Sequence, residues 1–319
     1  MKIYYFIFCL LLLFIGCQDN LITPTEDSTF GIYLLNDRTL NIQDIQNLSI
    51  NELKLESKPW LASTDIDFYD YSSHCIYLKK EKSELLTKEV DIKMNDQPFV
   101  LIANNIRCYI GSFHSGLLSI APTKPYVDEL DIYFFPTDVL HISKAWEDEI
   151  DMRNNKNIEY DLSSKNKLHK GLSIFIKDIK IVSNSDTATV QYTYAITNND
   201  KDNLYVLDPD KMGSELFHYF TNGISFWSND KYISSQYKTI KQPEPYDSWK
   251  PEWFTKIESA STIERTVLLK GYPHIPDGVY KCMLNFSNPS KIQKSDRELS
   301  DGRYWLGDIL TQTQINVGG

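Results

Sequence analysis

The chain has 319 residues, a formal net charge of −10 and 13% aromatic residues. A chain of this length and composition can bury hydrophobic cores, which excludes an intrinsically disordered protein and suggests two domains. The acidic balance, without a basic stripe, excludes nucleic acid as a partner, because binding to phosphates needs positive charge. For the same reason we expect no electrostatic docking of the protein surface to anionic lipid.

The first twenty residues have the pattern of an export signal. Lys2 precedes an apolar run over residues 3–15, which is too short to span a bilayer but fits the apolar region of a signal peptide. Cysteine stands where the run stops. The motif FIGC at residues 14–17 resembles the lipobox of bacterial lipoproteins, although Phe14 replaces the usual aliphatic residue.

The resemblance to lipoproteins implies that residues 1–16 are removed and that Cys17 is diacylated on sulfur and acylated at its new N-terminus. Residues 17–28 are polar and are predicted to be a tether. The expected partner is therefore a membrane, held through lipid on Cys17, with the protein in the bacterial cell envelope on its periplasmic or outer face. The alternative is an ordinary signal peptide or an uncleaved anchor in which this cysteine is incidental.

Residues 29–150 are predicted to form a small α+β domain. Polar and apolar residues alternate over residues 65–78, which is typical of half-buried strands. A hairpin is predicted over residues 99–112, with its turn at Asn104-Asn105, because asparagine tolerates positive φ. Leu130–Phe135 is predicted to be a strand. Residues 151–169 are polar and are predicted to be an interdomain stretch.

Residues 170–319 are predicted to form an antiparallel β-sandwich, since many short alternating runs are separated by turns. The change of parity between Ile176 and Ile179 predicts a bulge near Lys177-Asp178. The run VQYTYAITN at residues 190–198 and PDGVYKC at residues 276–282 resemble immunoglobulin-like accessory domains of secreted bacterial proteins. The first half contains GIYLL at residues 31–35, DIDFYDYSSHCIYL at residues 65–78 and PFVLIANNIRCYIGSF at residues 98–113. With these runs it resembles a recurring module of uncharacterised exported bacterial proteins, and this resemblance implies no activity.

Few side chains suggest chemistry. Asp65, Asp67, Asp70 and His74 would suit a divalent cation, but apolar residues separate them and the alternation of a strand divides them between two faces. No zinc-binding, nucleotide-binding or Ser-His-Asp motif is found, so no catalytic residue, metal ligand or cofactor is assigned. Cys75 and Cys108 are either a disulfide, which export permits, or buried thiols, which we favour.

Aromatic residues concentrate between residues 217 and 254, and the second part of this segment has three prolines and no period. Long loops of this kind often carry function, and exposed Tyr and Trp can bind sugars or proteins. The alternative is that the rings cap the core. The predicted binding residues are Trp227, Tyr232, Tyr237, Tyr246, Trp249 and Trp253.

These observations predict a membrane-anchored envelope lipoprotein that binds a protein or carbohydrate ligand and does not catalyse a reaction. Two alternatives stay open. One is a protease inhibitor or a stability module. The other is a hydrolase whose site is assembled from residues that are distant in the sequence.

Overall fold

The computed structural model describes residues 30–83, 95–117, 121–145, 150–228, 231–236 and 240–318. Twenty strands occupy these segments: β1 Gly31–Leu34, β2 Leu61–Ala62, β3 Ile66–Asp70, β4 Cys75–Leu78, β5 Gln97–Ala103, β6 Ile106–His114, β7 Tyr126–Asp128, β8 Val139–His141, β9 Leu168–His169, β10 Leu172–Asn184, β11 Thr187–Asn198, β12 Leu204–Leu207, β13 Ile224–Ser228, β14 Lys231–Ile233, β15 Phe254–Ile257, β16 Thr262–Pro273, β17 Gly278–Ser287, β18 Glu298–Leu299, β19 Gly302–Tyr304 and β20 Asp308–Val317.

Within the described segments, five short α-helices lie between the strands: α1 Glu129–Phe134, α2 Lys156–Ser164, α3 Pro209–Met212, α4 Ser214–Thr221 and α5 Lys294–Arg297. Single turns of 3-10 helix cover Ser63–Asp65 and Pro251–Trp253. None of the helices in the described residues is long and apolar enough to cross a membrane.

The strands form five sheets, with the orders β2-β1-β5-β6-β7, β8-β4-β3-β9, β10-β11-β16, β15-β12-β19-β18 and β14-β13-β17-β20. The fold is mainly β, and these sheets are arranged in a ring like the blades of a propeller. Regular propeller blades have four strands each. Here one sheet has five strands and one has three.

The prediction of an α+β domain followed by an immunoglobulin-like β-sandwich is wrong. Alternation along the sequence identified strands but not their partners. β9 lies in the predicted interdomain stretch, yet it pairs with β3 in parallel. Cys75, Tyr77 and Val139 from the first half belong to the same buried cluster as the core residues of the second half. The domain bounds themselves stay predictions.

Several local predictions are confirmed. β5 and β6 form the expected hairpin, and Asn104 and Asn105 have φ of 50° and 61° at its turn. The register between β10 and β11 shifts between Ile176 and Asp178, which is the predicted bulge. Cys75 and Cys108 are free thiols, as favoured, although only Cys75 is buried and Cys108 is half-buried. Leu130–Phe135, by contrast, is not a strand, because most of it forms α1.

Candidate functional site

A cleft of about 570 Å³ lies between α1 of the first half and α4, with nearby loops, of the second half. Its aromatic wall and its charged and amide groups come from positions spread between residues 131 and 308. The aromatic side chains that line it are Phe134, Phe135, Tyr219, Phe220 and Tyr246, and the charged ones are Asp131, Asp247, Lys291 and Asp308.

The two helices beside the cleft are fixed by local signals at their ends. Asp128 caps α1, because its carboxylate accepts a hydrogen bond from the backbone N–H of Leu130 at 2.9 Å. Gly213, with φ of +86°, precedes α4, and Asn222 ends this helix in the left-handed conformation, with φ of 55°. The caps thus fix the ends of the two helices that carry Phe134 and Tyr219, and both side chains line the cleft.

The aromatic wall is built around Tyr219. The ring of Tyr219 packs edge-on against Phe220 at 5.0 Å and against Tyr246 at 6.2 Å between centroids. Tyr246 is 69% exposed, so most of its ring surface is open to a ligand. The wall therefore combines a fixed ring with an accessible one.

Asp247 joins the aromatic wall to the charged side of the cleft. Its carboxylate accepts a hydrogen bond from the Tyr219 hydroxyl at 2.8 Å and lies 3.0 Å from Nζ of Lys291. Burial, followed by the neighbouring Tyr246 and Asp247, raises the pKa of Tyr219, so its hydroxyl keeps its proton and acts as a donor. Lys291 Nζ also lies over the ring of Phe134, 5.6 Å from its centroid.

His141 contacts two of the carboxylates that line the cleft, those of Asp131 and Asp308. Its Nδ1 lies 2.7 Å from Oδ2 of Asp131, and its Nε2 lies 3.6 Å from Oδ1 of Asp308. Burial alone would lower the pKa of His141. The hydrogen bond to Asp131 and the charges of Asp131 and Asp308 outweigh burial, so this pKa is raised above its usual value.

Ser143 does not complete a hydrolytic relay with this pair. Its hydroxyl lies 3.4 Å from Nδ1 of His141, which is the nitrogen that already faces Asp131. A Ser-His-Asp relay needs the serine and the carboxylate on opposite ring nitrogens. The arrangement therefore fixes the imidazole but does not activate the serine.

One group in the described residues has ligand atoms close enough for a metal ion. His169, Asp200 and Asp202 place one such atom each within 4.8 Å of one another. Nη2 of Arg303 lies 3.0 Å from Oδ2 of Asp200, however, so a guanidinium already neutralises this carboxylate. A divalent ion at the same place would be repelled by Arg303, and these residues do not fit a metal site.

The four residues that the sequence suggested for a cation are dispersed. Asp65 accepts a hydrogen bond from the N–H of Ala62, and Asp67 pairs with Lys294 at 3.1 Å. Asp70 contacts Arg303, whereas Nδ1 of His74 lies 2.8 Å from the hydroxyl of Tyr69. Each side chain thus has a separate structural partner.

The predicted binding residues fall into three places. Tyr246 lines the cleft. Trp227 and Tyr232 are 43% and 55% exposed and pack against each other on the β13–β14 hairpin, at 4.6 Å between centroids. Trp253 is buried, and Trp249 is partly buried against Tyr304 at 5.4 Å. Tyr237 and the lipidation residue Cys17 lie outside the described residues.

Sequence reasoning missed the charged residues of the cleft. Asp131 and His141 lie near each other in the chain, whereas Asp247, Lys291 and Asp308 lie far from both, and the five residues share no motif. The fold brings them together through α1, β8, β20 and two loops. The one available signal was the aromatic concentration near Tyr246, which pointed to one wall only.

A larger groove of about 660 Å³ lies at the N-terminal end of α4, beside β16. Among the described residues, its lining includes one carboxylate, Glu215, and no histidine or aromatic side chain. Because recognition depends on placed polar groups and aromatic surfaces, we assign the candidate site to the smaller cleft.

Comparison with known proteins adds little. No protein-family model matches the chain, and no curated protein matches it. The chain is similar to the crystal structure of a "putative lipoprotein (ycdA)" from Bacillus subtilis, with a TM-score of 0.23 and 15% sequence identity. The match covers 44% of this chain and 36% of that chain. A TM-score this low carries no information about fold or function.

Proposed function

We propose that this chain is a lipid-anchored binding protein of the bacterial envelope, and that the cleft between α1 and α4 is its ligand site. The observation that carries the proposal is the exposed ring of Tyr246 in a cleft that also contains hydrogen-bonding and charged groups. An aromatic surface with a few placed polar groups is the usual composition of a small-molecule site. The position of Ser143 relative to His141 favours binding over hydrolysis.

The anchor part of the proposal rests on residues 1–17. An apolar run that stops at a glycine and a cysteine is what signal-peptide removal and acylation of Cys17 require. Replacement of Cys17 by Ser should release the protein to the soluble fraction or leave an uncut precursor. A Cys17→Ser protein that is still cut, acylated and dependent on detergent would contradict the anchor.

The binding part can be tested with the soluble chain that begins at Gln18. Saturation-transfer NMR against a panel of neutral oligosaccharides, amino sugars, short peptides and diamines should show contact with at least one class. Tyr246→Ala should abolish that contact, whereas Tyr232→Ala on the β13–β14 hairpin should leave it intact. If no compound binds, or if binding survives Tyr246→Ala and is lost in Tyr232→Ala, the cleft is not the site.

A further inference from the structure

The charged residues of the cleft are unbalanced. Asp131, Asp247 and Asp308 contribute three carboxylates to its lining, against the single ammonium group of Lys291. His141 adds positive charge only when its ring is protonated. A carboxylate excess within a partly enclosed cleft attracts cations, because attraction between charges strengthens where less water intervenes.

The cleft already stabilises one ammonium group. Nζ of Lys291 lies 3.0 Å from Asp247 and 5.6 Å from the ring centroid of Phe134. A carboxylate beside an aromatic face is the usual combination that recognises an organic cation. Tyr246 extends this aromatic surface, and its ring is exposed. The chain's own lysine thus shows how a ligand ammonium group would be held.

Asp308 is the carboxylate most open to a ligand. Its side chain is 43% exposed, and its contact with His141 is long, at 3.6 Å. Asp131, in contrast, is 23% exposed and has a close hydrogen bond with the same imidazole. A second ammonium group could therefore reach Asp308 without displacing a strong interaction.

We propose that the cleft binds a ligand with an alkylammonium group, either a free diamine or a lysine side chain of a peptide. The ammonium group pairs with Asp308, and the alkyl chain lies along the rings of Tyr246 and Tyr219. This inference rests on the proposed function, since it takes the cleft as the ligand site, and it adds the chemical class of the ligand.

Isothermal titration of the chain from Gln18 with cadaverine and with a lysine tripeptide, blocked at both ends, tests the inference. Binding should weaken about tenfold in Asp308→Asn, the range expected for the loss of one charge-assisted hydrogen bond. It should also weaken as the salt concentration rises, because part of the interaction is exposed. The control Glu258→Gln, an exposed carboxylate outside the cleft, should bind as the wild type does.

Lys291→Met should have the opposite effect on amine binding from Asp308→Asn. Removal of the resident ammonium group frees Asp247 and the ring of Phe134, so binding of both amines should become stronger by several fold. The source of the ammonium group follows from the affinities of the two amines for the wild type: a lower Kd for the tripeptide assigns a peptide lysine as the ligand, and a lower Kd for cadaverine assigns a free diamine. Thermal unfolding of each variant shows that it is folded.

Two other outcomes overturn the inference and separate it from the proposed function. If neither amine binds but a neutral oligosaccharide binds and depends on Tyr246, the ligand class is wrong and the cleft remains the site. If the amines bind equally well to wild type, Asp308→Asn and Tyr246→Ala, both the ligand class and the site are wrong.

Discussion

Arg303 and Asp70 form a buried ion pair, with 2.6 Å between Nη2 and Oδ2, although 233 positions separate them in the sequence. The same Nη2 also lies 3.0 Å from Asp200, and the guanidinium stacks over the ring of Phe68 at 5.1 Å. Asp70 ends β3 of the first half, and Arg303 lies in β19 of the second. The pair therefore connects the two halves of the chain through their interior.

Arg303→Met should lower the free energy of unfolding by about 3–5 kcal/mol, because it leaves the carboxylates of Asp70 and Asp200 buried without their cation. Urea denaturation measures this loss. The matched control is Lys256→Met, which removes an exposed partner of Asp301 and should cost less than about 1 kcal/mol. Similar small losses in both variants would mean that the buried pair contributes little.

A fragment that begins at Lys170 tests the prediction from the sequence that the two halves are separate domains. Such a fragment lacks Asp70 and Asp138, the partners of Arg303 and of the buried Arg297. It also exposes core that Tyr77 covers. We therefore expect the fragment to unfold without cooperativity, as measured by calorimetry. A sharp transition near that of the full chain would support independent halves instead.

Replacement of Trp249 and of Trp253, both in the aromatic segment between residues 217 and 254, should lower the stability by different amounts. Trp253 is 8% exposed, so Trp253→Ala should cost about 3–5 kcal/mol, the range for truncation of a buried aromatic residue. Trp249 is partly exposed, and Trp249→Ala should cost about 2 kcal/mol. Tyr246→Ala should cost less than about 1 kcal/mol, as expected for an exposed side chain. Thermal unfolding of the three variants provides the comparison, and an equal loss in all three would contradict this ranking.

His218 should make the protein less stable in mild acid. The ring is buried, neither of its nitrogens has a hydrogen-bond partner among the described residues, and burial lowers the pKa of His218 to about 4. The unfolded chain, with the usual pKa of 6.5, binds a proton first, so this contribution to stability is present above 6.5 and is lost as the pH falls below it.

His218→Phe removes this titration while it keeps a ring of similar size. The loss of unfolding free energy between about pH 7 and about pH 5 should then be smaller by about 2 kcal/mol than in the wild type. Urea denaturation at the two pH values measures the difference. An unchanged pH dependence would show that His218 is not the group that titrates.

The sequence was sufficient for local structure wherever the signal was short in range. Asn104 and Asn105 indicated a turn that needs positive φ, and the change of parity after Ile176 located a bulge. The sequence could not show that β9 pairs with β3, because a pair of two residues carries no periodic pattern. Nor could it show that Arg303 and Asp70 meet, since nothing in either neighbourhood specifies the other.

The two helices beside the cleft could not be predicted from the sequence either. α1 has six residues and α4 has eight, so neither is long enough for a clear helical period. Leu130–Phe135 has an apolar composition typical of a strand, and the capping by Asp128 decides in favour of a helix. Because α1 and α4 position Phe134 and Tyr219, the cleft was not predictable from the sequence, and the binding role of Tyr246 stays a prediction.

Amide hydrogen exchange with and without a bound ligand tests the central claim most directly, because it locates the binding surface. The probe is cadaverine, or the panel compound that binds best. If the cleft is the site, exchange should slow in both Glu129–Phe134 and Ser214–Thr221, which stand on its two sides. Unchanged exchange in both helices, with protection at the hairpin that carries Trp227 and Tyr232, would contradict the claim.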